Sequence, residues 1–277
     1  MRIYISADIE GITGVVNWKQ AGTPSSDHYD YAFARRMMTH DVNAAIRGAR
    51  DSGATKIVIK DSHNVGLNLL IDQLEPGIEL ISGSRACPDG MMQGISQDFD
   101  ACFLIGYHGM AGATEGVMEH TITGRIHRVS VNGQPIGEMG MSAATAGHYG
   151  VPLVMVSSDD KGCHEAMSFI PGIETAQVKV GMGRFMSHLL HPSETVGLIH
   201  EAARRGVEQA RTIPPYKLEG DCTARLEFNR SEEVDEASQL PGWNRLDAYT
   251  IEQTFPDWPS AHIGMRRAMS FAMLVAL

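Results

Sequence analysis

Met1-Arg-Ile-Tyr-Ile-Ser-Ala-Asp-Ile-Glu-Gly11 opens the chain. Ile3, Ile5, Ala7 and Ile9 alternate with Arg2, Tyr4, Ser6 and Asp8, the two-residue period of a β-strand. Side chains two positions apart share a strand face, so Asp8 and Glu10 are expected to project together. Gly11 follows, where a sharp exit from the strand needs a residue without a Cβ. Two ionised carboxylates side by side repel each other and call for a cation. At such a strand end a divalent metal is the usual one. An edge strand facing water can carry the same Asp-x-Glu pair, so the rest of the chain decides between the two.

Outward from this strand, Asn17 to Asp30 is polar and holds Gly22 and Pro24, which predicts a loop at the rim of a site. Tyr31 to Ser52 predicts a helix, with Phe33, Met37, Ala45, Ile46 and Ala49 on one stripe and Gly53 as its stop. Thr55 to Lys60 predicts a second strand running into Asp61-Ser-His63, and Glu79 to Ser82 a short third one. Ala101 to Ile105 is apolar throughout, as for a strand buried on both faces, and leads into Gly106-Tyr-His-Gly109. Pro152 to Val156 is similar and ends in Ser157-Ser-Asp-Asp160; a further strand is expected over Ala176 to Val180. Helices fit Met139 to Tyr149, Lys161 to Phe169 and Ser193 to Arg211. This alternation predicts an α/β fold, a three-layer, mainly parallel sheet.

After Thr212 the pattern changes. Pro214-Pro215 breaks the chain, and Ala224 to Phe228, an acidic helix-like run from Ser231 to Ser238, a strand over Arg245 to Phe255 and a terminal helix opened by Pro256-Asp-Trp-Pro259 follow. The expected organisation is a metal-binding catalytic α/β domain over 1–212 and a smaller α+β C-terminal unit over 213–277, sharing Arg125 to Gly133.

In open α/β sheets, ligands bind outside the carboxyl ends of the strands. Asp8 and Glu10, Asp61 and His63, His108, and Ser157 and Asp159 all fall at such ends, which points to a metal site. Zinc takes imidazole and carboxylate ligands, and sites with an open position perform hydrolysis. A two-metal site needs about five or six ligands, one of them a bridging carboxylate. Asp8, Glu10, His63 and His108 supply four. Glu138, in Gly137-Glu-Met-Gly140, is either the fifth or a helix-start acid that favours the macrodipole. His120, in Gly116-Val-Met-Glu-His-Thr-Ile122, is either a free imidazole acting as acid, base or nucleophile or a packing histidine. The remaining histidines lack a companion pattern. No Gly-x-Ser-x-Gly elbow is present, and the run Gly106 to Gly116 lacks the Gly-Lys-Ser/Thr of a phosphate loop.

Bulk properties set the class. The 277 residues, 43% hydrophobic and 20% charged, suit a folded globular protein. A net charge of −10 argues against a nucleic-acid or anionic-membrane partner. Cys87, Cys102, Cys163 and Cys222 form no Cys-x-x-Cys pair and read as reduced thiols of a cytoplasmic protein. The N-terminus shows no signal-peptide pattern. The apolar stretch Phe271 to Leu277 is too short to span a bilayer and reads as the end of a core helix or a subunit contact.

Several of these motifs together resemble the DppA-type D-aminopeptidases, the M55 peptidase family: Ser6-Ala-Asp-Ile-Glu-Gly11, Asp61-Ser-His63, Gly106-Tyr-His108, Gly116-Val-Met-Glu-His120 and Gly137-Glu138, with Ile81-Ser-Gly83 and Val151-Pro-Leu-Val154. The likeness covers about the first two hundred residues in order and is loose beyond Pro214. It implies two Zn per chain, with Asp8 bridging, Glu10 and His63 on one ion, and His108 and Glu138 on the other; His120 would be the catalytic histidine. It also implies a cytoplasmic enzyme that releases N-terminal D-amino acids such as D-alanine from short peptides, through metal-activated water, and a homo-oligomer, a decamer. Lys60 and Glu119 add charge beside a ligand and beside His120, and Glu119 is expected to alter the titration of His120. The competing readings are a binuclear hydrolase of another amide or a phosphoester, and a non-catalytic peptide-binding protein associated with transport.

Overall fold

The computed structural model describes residues 1–22, 30–84 and 88–275. Cys87 and His28 fall outside them, as do residues 23–29 of the expected rim loop. The described elements run β1 (Arg2–Ala7), α1 (Tyr31–Asp51), β2 (Lys56–Asp61), β3 (Glu79–Ile81), β4 (Ala101–Ile105), β5 (Ile126–Val131), β6 (Gln134–Pro135), α2 (Glu138–His148), β7 (Leu153–Asp159), α3 (Asp160–Phe169), β8 (Glu174–Gly183), β9 (Met186–Leu189), α4 (Pro192–Gln209), β10 (Cys222–Phe228), α5 (Ser231–Ala237), β11 (Asn244–Arg245), β12 (Thr250–Phe255) and α6 (Trp258–Ala272).

Seven strands form one sheet in the order β3-β2-β1-β4-β7-β8-β9, parallel except for β9, which returns antiparallel beside β8. The fold is therefore α/β with a mainly parallel sheet. Its first strand departs from the alternation: β1 is buried on both faces from Ile3 to Ala7. The polar members of the alternation are satisfied internally, Tyr4 donating from its hydroxyl to Gln93 O and Ser6 from Oγ to Met91 O. Parallel pairing on both sides of β1, with β2 and β4, leaves it no solvent face.

The chain steps from β1 to β2 in one direction across the sheet and from β4 to β7 and β8 in the other. With right-handed crossovers this puts α1 and α3 on opposite faces. It also makes the β1/β4 boundary the switch point, where a crevice opens at the carboxyl edge. Registers are level there: Ala7 pairs with Asp61 and Ile105, and Ile105 with Ser157.

A second, antiparallel sheet runs β11-β12-β10-β5-β6, in which β5 pairs with β6 on one side and with the much later β10 on the other. The stretch Arg245 to Phe255 is two short strands, broken by a turn in which Asp247 accepts from Tyr249 N. The two sheets have separate apolar cores. Helix α2 serves both, with Met139, Ala143 and Ala146 in the first and Met141 and Ala144 in the second. Its small residues allow this. Gly147 lies against the Tyr216 carbonyl, where a Cβ would come within 1.8 Å. No helix among the described residues is long and apolar enough to cross a membrane.

Candidate metal centre

The crevice at the β1/β4 boundary collects the ionisable residues. Asp8 and Glu10 leave the end of β1, His63 follows β2, His108 follows β4, and Glu138 is the first residue of α2. Gly11 closes the β1 turn through a close approach, not a left-handed φ: a Cβ there would lie 1.8 Å from Tyr107 O. Gly137 does the same before α2, where a Cβ would meet Met110 Cβ at 2.5 Å.

All five side chains are at least nine-tenths buried. His63 Nδ1 stands 3.1 Å from Asp8 Oδ1 and 3.2 Å from Glu10 Oε2, and its Nε2 faces Ala21 O at 3.3 Å. His108 donates from Nδ1 to Gly109 O, leaving Nε2 3.6 Å from Asp8 Oδ2 and 3.5 Å from Glu138 Oε2. Backbone carbonyls thus fix which nitrogen of each ring faces the carboxylates. Asp8 presents one oxygen to each histidine. Two trios result, Asp8–Glu10–His63 and Asp8–His108–Glu138, each with ligand atoms within 4.8 Å of one another.

This donor set fits zinc, which takes imidazole nitrogen and carboxylate oxygen. Two of its buried atoms, Glu10 Oε2 and His108 Nε2, have no hydrogen-bond partner among the described residues. Buried polar atoms are normally satisfied, so these two mark a place for a cation. The protonation pattern agrees. Burial, then Glu10, pushes the Asp8 carboxyl up to about 7. Burial opposes charge on Glu10, but the His63 imidazole overrides it and holds that carboxyl well below its usual range. Burial likewise resists protonation of His63 and His108, yet Glu10 and Glu138 respectively raise them well above an ordinary histidine. The carboxylates draw protons onto the rings wherever no other cation sits between them, so metal binding here releases protons.

His120 lies beside the second trio. Its ring stacks on His108 with centroids 4.2 Å apart and planes within 10°, and Trp18 meets it edge-on. Its Nδ1 faces Met118 O at 3.0 Å and its Nε2 lies 3.6 Å from Glu138 Oε1. Burial, then His108, lowers its pKa, so the ring is neutral at neutral pH. The segment carrying it is strained: Glu115, Met118 and Ile122 take positive φ, at about 1–2 kcal/mol each for residues with a Cβ. Hydrogen bonds hold it there. Val117 N donates to Asp159 Oδ2, Met118 N to Arg184 O, and Ile122 N to Glu138 Oε1. Glu119 turns away, accepting from Gly112 N and facing Arg184 at 3.5 Å.

Other strand-end residues build the walls. Asp61 accepts from Asn68 N, Asn68 Nδ2 and Leu69 N, which fixes the loop after His63. Asp159 caps α3 through Gly162 N, and Ser157 Oγ accepts from Gly106 N. Lys60 is buried and donates from Nζ to Asp61 O and Gly83 O. Of the remaining histidines, His262 is buried with Nδ1 2.7 Å from Pro88 O.

Two features had no motif to announce them. Glu165 accepts from Met110 N, its other oxygen fills the space beside Gly137, and burial raises it to about 7. Lys179, fully buried, donates to the carbonyls of Glu10, Ile12 and Val15; burial lowers its ammonium to about 8. It thereby supplies a donor to Glu10 O and Val15 O and a second one to Ile12 O, which also accepts from Val15 N. Each buried carbonyl stripped of its donor costs about 1–3 kcal/mol. Lys179→Met is therefore expected to lose about 3–5 kcal/mol in urea unfolding and to bind zinc more weakly through displacement of Glu10. An unchanged midpoint in the variant would remove Lys179 from this role.

A cleft of about 560 Å³ opens over the cluster, lined among others by Asp8, Glu10, His63, Glu138, His120 and Trp18. A chelating pocket of carboxylates and imidazoles at the switch point of a parallel α/β sheet defines a metal-dependent enzyme. The chain matches the M55 peptidase family, D-aminopeptidase, over residues 1–266, and it belongs to that family. It is 32% identical over 274 residues to a D-aminopeptidase of Bacillus subtilis (strain 168), covering 99% of this chain and 98% of that one. The solved structure of the Zn-dependent D-aminopeptidase DppA from Bacillus subtilis, a self-compartmentalizing protease, matches with a TM-score of 0.95 and 29% identity over the whole of both chains.

Proposed function

We propose that this peptidase is a D-stereospecific, binuclear zinc aminopeptidase that releases N-terminal D-amino acids, of the D-alanine type, from short peptides or amides. The observation that carries the reading is the pair of buried trios sharing Asp8. In this reading Asp8, Glu10 and His63 would hold one ion and Asp8, His108 and Glu138 the other, Asp8 being common to both. A further trio, Glu10–His108–His120, also has converging atoms. The stacking of His120 on His108 speaks against it, because parallel rings direct their in-plane lone pairs side by side and not at one point.

Bound zinc supplies Lewis acidity towards water and towards the scissile carbonyl oxygen. The chain supplies the rest. His120, neutral and fixed by Met118 O, holds Nε2 toward the cleft to take a proton and return it to the leaving amine. Trp18 and the buried walls exclude bulk water. In this reading residues 1–212 form the catalytic unit, and 213–277 with 125–133 form the smaller one.

The relative's self-compartmentalizing character supports a homo-oligomer, for which we propose a decamer. So does the β8–β9 hairpin, which exposes Met182, Phe185, Met186 and Leu189. The free, buried Cys102, Cys163 and Cys222 support a cytoplasmic location.

The decisive test compares D-alanyl with L-alanyl p-nitroanilide on zinc-loaded protein, with a chelated control. A preference for the D form of about 100-fold or more, abolished by the chelator, is expected; that ratio is the order a well-formed pocket achieves. Equal rates would reject the stereospecificity, and no cleavage by protein holding two zincs would reject the substrate class.

A further inference from the structure

We propose that Arg266 receives the terminal carboxylate of the substrate, so that the cleft selects short peptides with a free C-terminus. The inference rests on the aminopeptidase reading and adds a substrate class to it.

Among the described residues two arginines line the cleft, Arg184 and Arg266. Arg184 is already engaged, donating to Glu119 O at 3.0 Å and facing the Glu119 carboxylate at 3.5 Å. Arg266 has no carboxylate partner among the described residues. A half-buried guanidinium facing a pocket without a counter-charge is a receptor for an anion, and a planar carboxylate is the anion its fork matches.

Its position is built. Trp258, His262 and Arg266 recur every four residues on α6 and so share one face. Trp258 donates from Nε1 to Thr145 Oγ1, His262 stacks on Trp258 within 10° and reaches Pro88 O, and the third member arrives at the cleft. Gly90 completes the seat. Its φ is +55°, and a Cβ there would lie 2.9 Å from Arg266 Nη1 and 2.7 Å from His262 Cε1.

The same cleft is also lined by Asp8, Glu10 and Glu138, where the reading places the scissile bond. A sphere of about 560 Å³ is about 10 Å across, which admits two or three extended residues at about 3.5 Å each. A carboxylate on Arg266 therefore sets the length of peptide that reaches the cluster.

The test measures kcat/KM of zinc-loaded wild type, Arg266→Gln and Arg266→Lys on D-alanyl-glycine and D-alanyl-glycinamide, which differ only in the terminal carboxylate. Wild type is expected to favour the acid. In Arg266→Gln the acid-to-amide ratio falls about 30-fold, mainly through KM. In Arg266→Lys, which keeps the charge without the fork, it falls less. A ratio that moves less than threefold in both variants overturns the proposal while leaving the aminopeptidase reading intact. Wild type that cleaves neither peptide overturns that reading and the proposal together. Should Arg266→Gln fail to fold, Arg266→Lys decides.

Discussion

Asp8→Asn is expected to reduce the zinc content of the purified chain from two ions to well under one. It is also expected to lower kcat/KM on a D-alanyl substrate about 10⁴-fold, which corresponds to about 5.5 kcal/mol of transition-state stabilisation. The cause is geometric. Asp8 is the member common to both trios, with Oδ1 toward His63 and Oδ2 toward His108. The other four residues leave each ion with two ligands when it is removed, below the three that catalytic zinc ordinarily takes from protein. An Asn keeps the volume and one oxygen but loses the charge that the bridge requires.

The same substitution acts in the opposite sense on the metal-free protein. Burial and the neighbouring Glu10 push the folded-state carboxyl of Asp8 up to about 7, from 3.8. An acid whose folded pKa is raised contributes stability below the unfolded value and loses it as pH rises through the folded one. Metal-free wild type therefore loses stability between about pH 4 and 7 on account of Asp8, and the Asn variant does not. At pH 8 the apo variant is expected to unfold at a denaturant concentration no lower than apo wild type. With saturating zinc the order reverses, because only wild type gains binding free energy, about 4 kcal/mol per site at a thousandfold excess over Kd. Two zincs per chain in the variant, by atomic emission, would refute the bridging role.

Much of this site is legible along the chain because its ligands sit one to three residues beyond the ends of three strands and at the start of one helix. Asp8, Glu10, His63 and His108 need only the rule that ligands gather at the carboxyl edge of a parallel sheet. That rule cannot separate ligand from wall. Asp61 and Asp159 occupy equivalent positions, yet their oxygens are consumed by Asn68, Leu69, Val117 and Gly162. The difference lies in loop geometry that no period records. Lys179 looks like any strand lysine until β8 is seen to run beneath the turn from Glu10 to Val15. The pairing of the second sheet is hidden for a similar reason: Arg125 to Gly133 is expected to join the C-terminal unit, but the partner of Ile126 to Val131 is Cys222 to Phe228, and no local period records a pairing between segments so far apart. Arg266 reaches the cleft through the same long-range packing, carried by α6 onto the turn at Gly90.

His120→Ala is expected to keep both zincs and to lose about 10²–10⁴-fold in kcat, with KM changed less than threefold, as for removal of a general acid–base. Neither proposed trio includes His120, so metal content is unaffected, whereas Asp8→Asn loses metal and rate together; the pair of variants separates binding from proton transfer. The histidine is prepared for this role by its surroundings. Nδ1 donates to Met118 O, which leaves Nε2 as the unprotonated nitrogen, 3.6 Å from Glu138 Oε1 in the lining of the cleft. Burial, then His108 stacked at 4.2 Å, disfavours the imidazolium, and a cation on His108 adds repulsion of the same sign. The acid limb of kcat/KM in wild type is therefore expected below the ordinary histidine value of about 6.5, and it should vanish from the residual activity of the Ala variant. The strained φ values at Met118 and Ile122 have a purpose in these terms. They hold the ring stacked on His108 and against Glu138 in the lining of the cleft. Full activity of His120→Ala with two zincs bound would remove the residue from the mechanism. Loss of one zinc would instead make it a ligand, through the trio it forms with Glu10 and His108.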